Sequence, residues 1–420
     1  MNKMSGWLLA VCLVIDGRVS MAQSSGEDVF SRLPAGCSVT RQVLVPPEQT
    51  AAIGRKLGAP LRALTNTFLN VQGQAVQVNI LRCETVADAT TVHRAIAAMK
   101  QHPALCVQSG EQVIEFVGAS VPVAVKLAYE LGFVAKPRQL VYRVVAPLAL
   151  VDKADYGSGS ELFNLLAQAS GRQSSEAAMS RINELAAKFI FGKTIRLRAP
   201  ANQRHYRFEP VPVAEQQAGQ DMVQYSFEPA PQVWGIPAVQ LTAEISVNDT
   251  GFTPDSRTVE AALLAATPFW PADDPDIAAL ARQIMAGCST DAEKVQALVA
   301  WLAPGKNIRF GGSVTGSRWG VKQVLAQKYG HCWDFADCFV TLCRVVGIGC
   351  RQVGGWLYGV SGHVWAEYLI PGQGWQQVDP TGAGTLSCGI YHISYFTTED
   401  GDMPVLYTSM PEIDILQTAE

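Results

Sequence analysis

The chain has 420 residues, room for two or three domains of ~100–200 residues each. Hydrophobic residues make up 48% and charged residues only 17%, against ~25% in an average soluble chain, which excludes disorder as a whole-chain state. Lys and Arg number 33 against 37 Asp and Glu, a net charge of −4 with no basic run, so nucleic acid is excluded as a partner on electrostatic grounds.

The first segment reads as an export signal over residues 1–22. Lys3 supplies positive charge, Trp7 to Ile15 is an apolar core too short to span a bilayer as a helix, and Ser20 and Ala22 offer the small residues a signal peptidase reads. The alternative is a buried N-terminal helix. Val11 before Cys12 argues against a lipoprotein box. The expected mature chain begins at Gln23, is periplasmic or secreted, and keeps no membrane attachment after cleavage.

Residues 23–152 read as an α+β domain. Val76 to Arg82 alternates as a strand, Ala87 to Met99 has helical spacing, and Ala104–Gln108 and Gln112–Val117 flank a Ser-Gly-Glu turn. Val121 to Leu131 is helical and Gln139 to Val145 is again a strand. The order β-α-β-β-α-β predicts a ferredoxin-like sheet. Residues 153–190 read as linker and helix, and 191–262 as a small antiparallel β region, from the alternation at Ile195, Leu197, Tyr206, Phe208, Val223, Tyr225, Val239 and Leu241. Helices follow at Ile277–Ala286 and Asp291–Leu302, the second with Ser289 as its expected N-cap. The last domain is placed at 263–400, with 401–420 as a tail.

The chemistry concentrates after Tyr329. From Cys332 to Val346, apolar residues at Phe335, Phe339, Leu342 and Val346 mark one buried helix face, with Gly330 before it and Gly347 after it. Cys332 therefore starts a helix, where unpaired N–H groups and the macrodipole favour a thiolate. On that helix Cys338 lies about 9 Å and Cys343 about 16 Å along the axis from Cys332. Bridged Cα atoms are rarely more than ~6.8 Å apart, so neither can pair with it. Of the 10 cysteines, nine remain after the signal segment, and eight of them can pair. Three (Cys37, Cys83, Cys106) lie in the N-terminal half and five (Cys288, Cys338, Cys343, Cys350, Cys388) in the C-terminal half. Complete oxidation would then staple the two halves together. Otherwise one thiol in each half stays reduced and buried.

A cysteine nucleophile needs a base, and the base needs an orienter. His331 adjoins Cys332 and points elsewhere as the helix begins. His363 stands on an alternating strand, Gly362 to Leu369, and a turn at 371–374 leads to a second strand ending at Asp379. Such a hairpin can bring His363 and Asp379 together.

Tyr329–Ala336, Leu342–Arg351, His363–Glu367 and Gly374–Thr381 together resemble the transglutaminase-like superfamily, over about a quarter of the chain. The resemblance implies a papain-like fold, Cys332 as nucleophile, His363 as base and Asp379 as third member. It also implies that Trp319 donates its indole N–H to the oxyanion. Two features depart from the family: Gly349-Cys350-Arg351 stands where Pro-x-Arg is common, and the segment from Trp319 to Cys332 is shorter than in the animal enzymes. No cofactor or metal is expected, because no EF-hand loop or paired Cys-x-x-Cys is present. The function expected is thiol acyl transfer on amide bonds of a protein or peptide, hydrolytic by default, with a protein crosslinker as the alternative. A non-catalytic, disulfide-braced binding protein is the alternative of another class.

Overall fold

The computed structural model describes residues 29–34, 37–71, 74–169, 175–199, 204–228, 231–311, 318–360, 362–382 and 388–419. The expected signal segment, residues 1–22, lies outside them.

Five antiparallel strands form the N-terminal sheet, in the order Cys37–Leu44, Leu61–Val71, Gln74–Cys83, Gln112–Val117, Cys106–Ser109. Both faces are covered, so the period-two rule divides the apolar run of the Gln112–Val117 strand between two cores. Val113 packs with Val92 and Ile96 of the Val86–Ala97 helix. Ile114 and Phe116 pack with Ala124 and Leu127 of the Val121–Glu130 helix.

The expected β-α-β-β core forms here, but the ferredoxin-like sheet does not. Its closing strand, Gln139–Ala149, belongs to another sheet, and the vacant edge is taken by Leu61–Val71. That strand reaches Gln74–Cys83 through a two-residue connection, whose closure entropy is far below that of a return from residue 139. Gln139–Ala149 instead pairs along its whole length with Ile236–Asn248, from Gln139 opposite Asn248 to Ala149 opposite Ala238. Arg204–Glu209 lies on one edge of this central sheet and Glu412–Ala419 on the other. Residues 412–419 are therefore a structural strand within the segment read as a tail. The 191–262 region is likewise no independent unit, since it shares this sheet with the preceding segment. Three of its other strands, Thr194–Arg198, Ala214–Gln217 and Met222–Ser226, make a separate three-stranded sheet.

The stretch read as linker and helix contains two helices, Gly159–Ala169 and Glu176–Ala186. Leu162 and Leu166 of the first meet Ile182 and Leu185 of the second in a shared core.

In the C-terminal region a five-stranded antiparallel sheet runs Phe252–Pro254, Gly374–Val378, Gly362–Ile370, Cys350–Leu357, His392–Thr398. The Cys332–Val345 helix packs on it and is buried from Asp334 to Arg344. Helices Pro275–Ile284, Asp291–Leu302 and Val321–Gln327 enclose it, with Phe335, Phe339 and Leu342 in the core between them. The N-cap of the second of these is Thr290 rather than Ser289. Its hydroxyl accepts from Glu293 N–H, while Glu293 accepts from the N–H groups of Ser289 (2.7 Å) and Thr290 (2.9 Å). None of the described helices is long and apolar enough to cross a membrane.

All nine described cysteines carry free thiols, so of the two outcomes left open by their number, no bridge joins the halves. Packing explains this. Cys83 and Cys106 fill small apolar positions under the Val86–Ala97 helix, and Cys338, Cys343 and Cys350 do the same around Phe339. The Cys343 and Cys350 thiols are hydrogen-bonded to each other, and burial pushes Cys343 well above the usual thiol range.

Close packing of this sheet leads to a stability prediction. Gly355 lies under the Trp365 ring, and a Cβ there would also meet the Ile393 carbonyl oxygen at 2.5 Å. Gly355→Ala should cost about 3 kcal/mol or more, read as a lowered urea midpoint. An unchanged midpoint would refute this packing.

Candidate active site

The helix that presents Cys332 begins in a tight turn. A Cβ on Gly330 would lie 2.7 Å from Asp334 Cβ, so glycine lets Asp334 fold back over the helix start. Asp334 accepts from His331 N–H at one carboxylate oxygen and from Trp319 N–H at the other, both at 2.9 Å. Burial pushes Asp334 up to about 6, despite these bonds holding its charged form. Cys332 is then the first residue of the helix and is half-buried.

His363 is the second residue of its strand. The register pairs Ala366 with Val378. Continued by one residue, it puts Asp379 opposite Trp365, a diagonal neighbour of His363 on the same face. His363 Nε2 lies 2.9 Å from Asp379 Oδ2, and the Cys332 thiol is within hydrogen-bonding reach of the same ring. Burial favours a neutral His363. The Asp379 charge and hydrogen bond, reinforced by Cys332, outweigh it and hold the imidazolium up at about 10. Asp379 is held well below the usual carboxylate range: burial acts against its charge, but the two histidines beside it prevail. Its Oδ1 accepts from Thr381 N–H (2.9 Å) and Thr381 hydroxyl (2.6 Å). The structure thus brings Cys332, His363 and Asp379 together as the spacing predicts. The arrangement sets a thiol beside an imidazole that can take its proton and return it to a leaving group.

A second histidine completes the carboxylate's coordination and was missed in the sequence. His392 Nε2 lies 3.1 Å from the same Asp379 Oδ2. Burial pushes His392 down towards the neutral form, so its Nε2 carries the donated proton. Its Nδ1 is buried without a hydrogen-bond partner among the described residues. No local motif marks His392, which follows residues 383–387, outside the described residues. One donor atom from each of His363, Asp379 and His392 lies within 4.8 Å of the others, as metal ligands would. The two hydrogen bonds to Oδ2 already account for this proximity.

Trp319 does not reach the site. Its indole stacks on His331 (centroids 5.2 Å, 27°) and meets Tyr329 edge-on (5.4 Å), and it does not line the cleft into which Cys332 opens. The short segment before the helix leaves Trp319 tied through its backbone to Asp334, on the far side of His331. Arg318 lines the cleft instead, but its guanidinium is already engaged: it donates to both Asp337 oxygens (2.6 and 2.5 Å) and to Gly401 O (2.6 Å). Asp337 also accepts from Trp270 Nε1 (2.8 Å) and Gln352 Nε2 (2.9 Å). A second buried cluster, Arg351 with Glu367 (2.6 Å) and Asp221 (2.7 Å), ties the three-stranded sheet to the sheet that carries His363.

The cleft has a volume of about 290 Å³. Cys332, Trp333 and His363 form one wall. Residues from 154–164, within the segment read as linker and helix, also line it.

No curated protein sequence matches the chain significantly. Among solved structures, a candidate cysteine protease from Cytophaga hutchinsonii is 14% identical, with a TM-score of 0.42, over 68% of this chain and 93% of that one. The periplasmic domain of TgpA from Pseudomonas aeruginosa is 17% identical, with a TM-score of 0.29, over 58% and 88%. Residues 278–380 match the sequence profile of the Transglutaminase-like superfamily. That segment, from the Pro275–Ile284 helix through the strand before Asp379, is a transglutaminase-like domain.

Proposed function

We propose that the protein is a thiol acyl-transfer enzyme that hydrolyses amide bonds of peptides or proteins. The observation that carries this reading is the convergence of Cys332, His363 and Asp379 in one hydrogen-bonded chain that opens onto a cleft. Cys332 sulfur attacks the carbonyl carbon, and N–H groups of the helix's first turn stabilise the oxyanion. His363 gives its proton to the departing amine, leaving a thioester on Cys332. His363 then takes a proton from water as water attacks the thioester, releasing the acid and the thiolate. Asp379 keeps the imidazole oriented and charged, and His392 with Thr381 holds Asp379. The same reading places the chain outside the cytoplasm, supported by the charge, apolar core and small residues of 1–22.

Acyl-enzyme capture tests the chemistry. Incubation with activated esters of N-acylated amino acids should give an adduct on the Cys332 peptide that decays as free acid appears, followed by mass spectrometry. Acid release at an unchanged rate in Cys332→Ser would overturn the assignment.

A further inference from the structure

The cleft beside Cys332 has a composition that selects among substrates. Among its described lining residues, the ionisable groups other than the Cys332–His363 pair and tyrosine hydroxyls are Arg318 and Asp155. The Arg318 guanidinium is neutralised by Asp337 and covered by the Phe269 ring at 3.9 Å. Asp155 accepts from the Ser158 hydroxyl and leaves the wall with a negative charge. Among the described lining residues no unpaired cation is therefore present to receive an acidic side chain.

The hydroxyls of the three lining tyrosines are also engaged. Tyr156 donates to Asp402 (2.7 Å) and accepts from Met403 N–H (2.7 Å). The Tyr395 and Tyr407 hydroxyls are bonded to each other. What these residues offer the cleft is ring surface. Phe163, half-buried, extends that surface from the Gly159–Ala169 helix, its ring 6.0 Å from Tyr407. That helix is anchored by Leu162 and Leu166 in its own core, which holds Phe163 in place. The aromatic wall also runs up to the reacting groups. A Cβ on Gly362, the neighbour of His363, would lie 2.9 Å from Tyr407 Cε2, so the Tyr407 ring abuts the strand beside the base.

We infer that this cleft is the subsite for the acyl residue of the substrate, and that it takes a bulky apolar side chain, aromatic by preference, over glutamine or an acidic one. The inference rests on the proposed acyl transfer at Cys332. Its physical content is desolvation. Ring surface contacts an apolar side chain at no polar cost, whereas a glutamine amide would trade its water shell for ring surface with the exposed Asn164 as the one amide among the described lining residues, and a carboxylate would face Asp155. The Gly159–Ala169 helix, with Phe163 at its centre, thereby acts as a specificity element.

A matched series of N-acetyl-aminoacyl chloromethyl ketones tests this, because alkylation of Cys332 requires the thiol and the cleft but no turnover. In each case sulfur displaces chloride from the methylene carbon. The second-order rate for the Phe and Leu probes should exceed that for the Gly, Gln and Asp probes by about tenfold or more. Phe163→Ala should shrink the Phe-to-Gly ratio about tenfold, and Phe163→Leu should restore most of it. A flat series with Cys332 labelled throughout, or a Gln or Asp preference, overturns the inference and leaves the acyl-transfer reading standing. Failure of every probe to label Cys332 removes both.

Discussion

Cys332→Ala should lose amidase activity by about 10⁴-fold or more, because no other group near His363 can form the thioester. The fold should survive. The thiol is half-buried at the helix start, and alanine favours the helix, so the unfolding free energy should change by less than about 1 kcal/mol. The first turn, with its N–H groups and the Asp334 bonds to His331 and Trp319, is unaltered by the change. Kinetics on an amide substrate and a denaturation curve on the same preparation check both halves of the expectation. Activity within a hundredfold of the parent would sink the nucleophile assignment. Loss of fold would show Cys332 to be a packing residue.

Asp379→Asn should have the second-largest effect, and its signature is a pH dependence. His363 ordinarily titrates near 6.5 but is held at about 10 in the fold. Its contribution to stability is therefore fully present below pH 6.5 and is lost as pH rises from there to about 10, on the order of 5 kcal/mol. Asp379 runs the other way. Its depressed folded value contributes stability present above its ordinary 3.8, lost only as pH falls into strong acid. Removing the carboxylate leaves burial as the dominant influence on His363, so the imidazolium is no longer held. The variant should lose about 10³–10⁴-fold in activity and should not show the parent's decline in urea midpoint between pH 6.5 and 10 that belongs to His363. Parallel denaturation series at pH 6 and pH 9.5 provide the comparison. An identical pH slope in the two proteins would refute the coupling. In His392→Ala the loss should be smaller, since Asp379 keeps His363 and Thr381.

The site was more legible in the sequence than the fold around it. Cys332, Gly330 and the Phe335–Phe339–Leu342 stripe are local: helical spacing and a glycine turn put the cysteine at a helix start without reference to the rest of the chain. His363 and Asp379 come from one hairpin, so a short turn suffices to bring them together. The β-α-β-β order between residues 74 and 117 was readable for the same reason. Its closing strand was not, because alternation in Gln139–Ala149 says that the strand has two faces and nothing about its neighbours. Its pairing with Ile236–Asn248 and Glu412–Ala419 joins residues separated by about a hundred or more positions. The same limit applies to the cysteines, whose parity suggested a bridge while packing places them as small apolar residues.

By itself, then, the sequence determined that Cys332 starts a helix and that His363 and Asp379 share a hairpin, since periodicity and turn residues act over a few positions. Only the tertiary structure decided that His392 shares the Asp379 oxygen, that Trp319 stacks away from the thiol, and that residues 154–164 wall the cleft. The last is a contact between segments distant in the chain, and the first two join residues about a dozen positions apart that no shared hairpin or helical period links. Such contacts are selected by the packing of whole sheets and helices, and composition and spacing within any one segment leave them undetermined.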